Sequence, residues 1–151
     1  MENRNEKFRR IAQKRLSRVF STMSLIENLA NRRYYDYTID EVNEMFEAYV
    51  EKGSEIREYF EQSIEKKELT KSFIFKTQRL IENEKNDKFR ELAQNRLSKV
   101  FADMNLIANL SNKSNYSYSE EEIEEMFEAY KEKGFETRGR FIIRDKFTFK
   151  S

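Results

Sequence analysis

Arg9, Gln13, Ser17, Asn28 and Asn31 fall on one arc of about 100° when the first thirty residues are placed on a helical wheel. Arg90, Gln94, Ser98, Asn109 and Asn112 repeat them at a constant offset of 81. Ser24 and Asn105 lie between, different in type but both uncharged and polar. Amides and hydroxyls each donate and accept hydrogen bonds, while arginine adds a planar cationic fork. Such a ladder suits the polar wall of a ligand groove, with amides reading a base or ribose edge and an arginine meeting phosphate. It equally suits a helix–helix seam in which serine allows close approach and amides satisfy backbone groups. Arg15 and Arg96 sit on the opposite flank of the apolar stripe and are retained, whereas Arg10 has become Glu91 and Lys14 has become Asn95. They either lie along the core edge and pair with a glutamate or supply a cation to a ligand. Tyr35 and Tyr116, retained beside the following loop, have ring faces on which a ligand could stack.

The elements that position these groups come from a tandem duplication. Residues 5–60 recur at residues 86–141 without a gap, with 32 of 56 positions identical. A repeat of this kind is read as one supersecondary unit that needs its neighbour to cover its apolar face. Phe8, Ala12, Leu16, Val19, Met23, Ile26 and Ala30 recur at spacings of three and four, predicting a long first helix, and Phe89 to Ser111 repeat the pattern. Thr38 with Glu41, and Ser119 with Glu122, have the spacing of a capping box and mark where a second helix starts. Tyr37 and Tyr118 stand just before those caps. Gly53 and Gly134 interrupt the second helix at equivalent places, consistent with a kink, a C-cap or a close packing contact. The short connection predicts antiparallel neighbours, a helical hairpin made twice. The fold class expected is therefore all-α, a four-helix bundle-like arrangement with pseudo-twofold symmetry, in which residues 1–76 and 77–151 pack as one compact unit. Two aromatic tails, SFIFK at 72–76 and KFTFK at 146–150, alternate as extended strips do and are expected to lie over the bundle or pair with each other.

Composition narrows the chemistry. The 151 residues contain no proline, cysteine, histidine or tryptophan and only three glycines. That favours long helices and removes disulfides, thiolate nucleophiles, zinc fingers and histidine-dependent triads. The net charge is +1, yet residues 1–35 carry nine basic and three acidic side chains while residues 36–68 carry four basic and eleven acidic. A basic first helix beside an acidic second helix accounts for this, as does a basic face free to meet phosphate. Glu44, Glu47, Glu51 and Glu55 recur as Glu125, Glu128, Glu132 and Glu136 and are expected to form a solvated acidic face. The histidine that a di-metal bundle site uses is missing, so neither metal nor cofactor is expected. There is no phosphate-binding glycine loop. The N-terminus, MENRNEKFRRIAQKR, has no apolar core of a signal or anchor, and no apolar run is long enough to span a bilayer. A cytoplasmic setting without membrane association is expected.

The segment L-I-x-N-L-[SA]-N, the Tyr-x-Tyr that follows and the capped helix resemble a recurrent group of short phage and mobile-element proteins. The resemblance covers most of each copy, at residues 15–49 and 95–130, although such relatives carry the unit once. It implies a small accessory protein of a mobile element, acting in the host bacterium by binding or blocking a host component. Within that context the duplicated ladder and the absent catalytic side chains point to a non-enzymatic protein that sequesters an anionic ligand, a nucleotide-type host-defence signal, at Arg9, Gln13, Arg15, Asn28, Asn31 and Tyr35 and at Arg90, Gln94, Arg96, Asn109, Asn112 and Tyr116. The alternatives are a DNA- or RNA-binding accessory protein using the basic helix, and a protein-directed inhibitor or adaptor docking through its aromatic tails or acidic helices. The wide apolar face of each first helix is consistent with a homo-oligomer in every case.

Overall fold

A computed structural model describes residues 1–62 and 68–142. Four α-helices run in chain order, α1 (Arg4–Glu27), α2 (Ile39–Glu61), α3 (Glu84–Ala108) and α4 (Glu120–Phe141), and there is no strand among the described residues. The ends of the helices are written in the sequence. Thr38 and Ser119 accept from the backbone N–H of Glu41 and Glu122, whose carboxylates reach back to the cap nitrogens. Asn3 and Glu6 form a third box at the start of α1, and Asn83 caps α3. α1 and α3 each pass into a 3₁₀ turn, Asn28–Ala30 and Asn109–Ser111.

The packing differs from a pair of self-contained hairpins. α1 packs on α3 and α4, and α2 packs on α3 and α4, whereas the two helices of one copy make no comparable contact. Going round the bundle, the order is α1, α3, α2, α4, so the helices of each copy face each other across the core. Phe8 at the start of α1 still meets Phe60 at the end of α2, with ring centroids 6.4 Å apart, which makes them antiparallel. The expected adjacency therefore gives way to an interlocked arrangement. Its cause lies in the width of the apolar face on the first helices, which is divided between two helices of the other copy.

The middles of α2 and α4 come close together. The rings of Tyr49 and Tyr130 stack with centroids 4.0 Å apart and an interplanar angle of 7°. Each hydroxyl donates to the other residue's carbonyl oxygen at 2.6 Å. This contact explains both glycines: a Cβ on Gly53 would lie 2.6 Å from Tyr130 Cε2, and one on Gly134 2.5 Å from Tyr49 Cε1. Neither glycine ends its helix, since α2 continues to Glu61 and α4 to Phe141. Aromatic quartets close the two ends of the core, Phe8, Phe60, Tyr118 and Phe127 at one and Phe89, Phe141, Tyr37 and Phe46 at the other. Tyr37 and Tyr118 donate their hydroxyls to Ala30 and Ser111 carbonyls, fastening each interhelix loop to the turn before it.

A backbone groove between α2 and α3

The ladder on α3 faces a length of the chain's own backbone. From Thr70 to Thr77 the chain runs along the groove between α2 and α3, antiparallel to both helices. Asn105 Nδ2 donates to the Thr70 carbonyl oxygen at 3.2 Å. Ser98 Oγ accepts from Phe73 N at 2.8 Å and donates to Phe73 O at 3.4 Å. Gln94 Oε1 accepts from Phe75 N at 3.0 Å, and Arg90 Nη2 donates to Thr77 O at 3.0 Å. The side chains of the ladder thus satisfy the main-chain groups that a sheet partner would otherwise take.

α2 supplies the opposite wall. Glu44 accepts from the amides of Lys76 and Thr77 at 2.7 and 3.0 Å. Burial pushes the Glu44 carboxyl up, but hydrogen bonds from the Thr77 side chain and the Lys76 and Thr77 amides, with the nearby Arg90 charge, outweigh it and hold the group below the usual carboxylate range. Lys52, with a side chain 1% exposed, donates to Thr70 O at 2.7 Å and pairs with Glu55. The acidic helix expected to be wholly solvated therefore has one working edge: Glu44 and Glu55 bind the segment, while Glu47 and Glu51 are exposed. Phe73 and Phe75 are buried between the walls and Ile74 points outward, a period of two suited to an extended chain. Phe75 lies against Phe89 and beneath the Arg90 guanidinium.

The same side chains line a second groove, between α1 and α4, and no described segment lies in it. Gln13 and Ser17 are exposed where Gln94 and Ser98 are half-buried. Leu16, Phe20 and Met126 are only half-buried, although their counterparts Leu97, Phe101 and Met45 are buried. The Arg9 side chain is 62% exposed against 16% for Arg90. A cleft of about 210 Å³ remains between Phe8, Gln13 and Leu16 on α1 and Glu125, Met126 and Ala129 on α4. At its far end Lys133 closes over the groove by donating to Ser24 Oγ at 3.1 Å, with Glu27 at 3.5 Å.

The candidate ligand residues separate into three sets. Arg9 and Gln13, with Arg90 and Gln94, lie on the grooves, but each arginine also pairs with a capping glutamate, Arg9 with Glu122 and Arg90 with Glu41. Burial works to raise the Glu122 carboxyl, and hydrogen bonds from Ser119, Arg9 and Asn5 overcome it and lower it. Arg15 and Arg96 cross between copies, donating to the Leu106 and Leu25 carbonyls at the ends of the opposite first helices at 2.7 and 2.8 Å. Asn28 and Asn109 are the C-caps of α1 and α3. Asn31 and Asn112 accept from Arg33 N and Ser114 N within the loops. Tyr35 and Tyr116 are half-buried against the core. The wheel places Asn28 and Asn31 on the ladder's arc because it continues helical geometry past the end of α1 at Glu27. The second aromatic strip, residues 146–150, lies outside the described residues.

Ser17, Ser98, Glu44 and Lys52 belong to the groove chemistry although they were not among the candidate ligand residues. All recur in the other copy, and that retention on two facing edges was the available signal. No described helix is long and apolar enough to cross a membrane. No protein family, curated protein or solved structure matches the chain.

Proposed function

We infer that the chain is a non-enzymatic binding protein that holds an extended segment of a partner polypeptide in the groove between α1 and α4. The observation that carries this reading is the ladder of α3, which grips main-chain groups from Thr70 to Thr77 with the residue types that α1 presents. A pseudo-twofold relation between the copies supports the transfer. Asn5 and Asn86 bind Ser117 and Asp36 carbonyls, Arg15 and Arg96 bind Leu106 and Leu25, and each contact maps onto its mate at the repeat offset. The segment captured is extended, with aromatic side chains at alternate positions to fill the cleft beside Leu16 and Met126, and a basic residue to face Glu125 and Glu128. Such capture fits a cytoplasmic accessory protein of a mobile element that occupies a host protein. An anionic ligand is less well served, because Arg9, Arg15, Arg90 and Arg96 each already bind a carboxylate or a carbonyl.

The test is calorimetric titration of the peptide TKSFIFKT, the sequence of residues 70–77, into the full chain. Saturable binding is expected, weakened about tenfold by adding Gln13→Ala and Ser17→Ala, the worth of two neutral hydrogen bonds at the low end of their range. Binding that is absent, or indifferent to Gln13 and Ser17, would contradict the reading. Release on heating of a compound absorbing at 260 nm would favour nucleotide capture instead.

A further inference from the structure

The bundle separates charges that nearly cancel in the total. α1 and α3 together carry twelve basic and six acidic side chains, α2 and α4 six basic and sixteen acidic. The order α1, α3, α2, α4 puts the first pair on one side of the molecule and the second pair on the other. The acidic helices therefore leave the opposite side with a net positive field. We propose that the face formed by α1 and α3 binds the phosphate backbone of a nucleic acid duplex without regard to its sequence. This surface is separate from the groove between α1 and α4 and does not rest on the reading given to that groove.

The cations follow the seam between the two helices. Arg15 donates to the Leu106 carbonyl and Arg96 to the Leu25 carbonyl, so α1 and α3 run antiparallel. In that register Arg96 is about level with Leu25 and Lys99 with Thr22. Arg96, Lys99, Arg18, Arg15 and Lys14 then succeed one another over eleven residue rises, roughly 17 Å at 1.5 Å per residue. Lys14, Arg18 and Lys99 are exposed. Asp103 pairs with Arg18 at 3.5 Å. Among the described residues no carboxylate pairs with Lys14, Arg15, Arg96 or Lys99. The carbonyls bound by Arg15 and Arg96 each take one N–H and neutralise no charge. They deny a small ligand the full guanidinium fork but leave the field that a polyanion meets.

Spacing and shape choose the partner. A duplex carries one phosphate charge per about 3.4 Å of axis on each strand, so roughly 17 Å of stripe faces about five phosphates of one strand with five cations. Two helices side by side are about 20 Å wide, too broad to enter a major groove of about 12 Å, so the face lies on the backbone and reads no bases. A single strand would need rings on which its bases could stack. The large apolar side chains exposed on α1 and α3 are Leu25 and Leu106, neither of them aromatic. At 47% and 40% exposed they also offer little to insert into a bilayer.

Fluorescence anisotropy of a labelled duplex of about 20 base pairs, titrated with the full chain, tests this. Asp103 shares the charge of Arg18, so about four contacts count, and the logarithm of the association constant should fall against that of salt with a slope of about −3.6. Between 50 and 200 mM salt the affinity should drop roughly a hundredfold. A duplex of unrelated sequence should bind equally. Lys14→Gln with Lys99→Gln should reduce the slope to about −1.8 while the helical circular dichroism stays unchanged. Absence of binding at 50 mM salt, a preference for one sequence, or an unaltered slope in that variant would overturn the proposal. Equally tight binding of polyglutamate would overturn it in favour of an acidic protein partner. Binding to vesicles containing anionic lipid, with none to the duplex, would overturn it in favour of a membrane surface.

Discussion

Glu41 and Glu122 are each asked to do two things. Each completes a capping box and also receives an asparagine and an arginine from the other copy, Asn86 and Arg90 for Glu41, Asn5 and Arg9 for Glu122. The surroundings differ, since Glu41 is 2% exposed and its arginine is largely covered by the bound segment. Glu41→Gln should therefore cost roughly 2–4 kcal/mol, approaching the loss of a buried pair, and Glu122→Gln about 1 kcal/mol, as read from urea denaturation midpoints. Equal losses would contradict the difference in burial. Gly53→Ala gains about 1 kcal/mol in helix propensity but forces a methyl onto a stacked ring with no free side, so a net loss of about 1–2 kcal/mol is expected by the same measurement. Glu44 sets a pH dependence. Because its folded carboxyl is lowered, its contribution is fully present above the unfolded value of about 4.3 and is lost as pH falls through the folded value. The Lys76 and Thr77 amides should accordingly lose exchange protection in that acid range, and Glu44→Gln should flatten the profile.

At the scale of elements, a helix face and a backbone segment recognise each other through side chain to main chain hydrogen bonds. Phe73→Ala with Phe75→Ala removes the aromatic anchors, and roughly 3–5 kcal/mol of stability per buried ring is at stake. Thermal unfolding of this variant should show a lowered transition with Leu97 and Met45 newly exposed to solvent. Much of this architecture was legible beforehand: periodicity gave the helices, and the Thr38 and Ser119 boxes gave the starts of α2 and α4. The polar ladder was legible as something that exposed solvation would not explain. Its partner was not, because a wheel shows which residues share a face and says nothing of what lies against it. The segment from Thr70 to Thr77 has no helical period, and its aromatic alternation gave a strip without an address. Adjacency within each copy is hidden for a related reason: a short loop constrains the ends of two helices, while the wide face of α1 decides which helices fill the core. Gly53 and Gly134 became interpretable only once the tyrosine of the other copy was placed over each.

For the whole molecule, interlocking means that neither copy buries its own face. Residues 1–77 alone should be poorly helical as a monomer and should fold as a homodimer, in which Tyr49 stacks on its own mate and both grooves receive residues 70–77. Circular dichroism should then give a melting temperature that rises with protein concentration, and a concentration-independent transition would contradict interdependence of the copies. The duplicated device has one groove filled by residues 70–77 and a second in which no described segment lies. The most direct measurement is chemical-shift mapping of TKSFIFKT on the isotope-labelled full chain. Shifts concentrated at Gln13, Leu16, Ser17, Glu125 and Met126, with Gln94 and Ser98 unmoved, are the predicted result. Absence of shifts at those five positions, or their dispersal over the loops at Asn31 and Asn112, would contradict it.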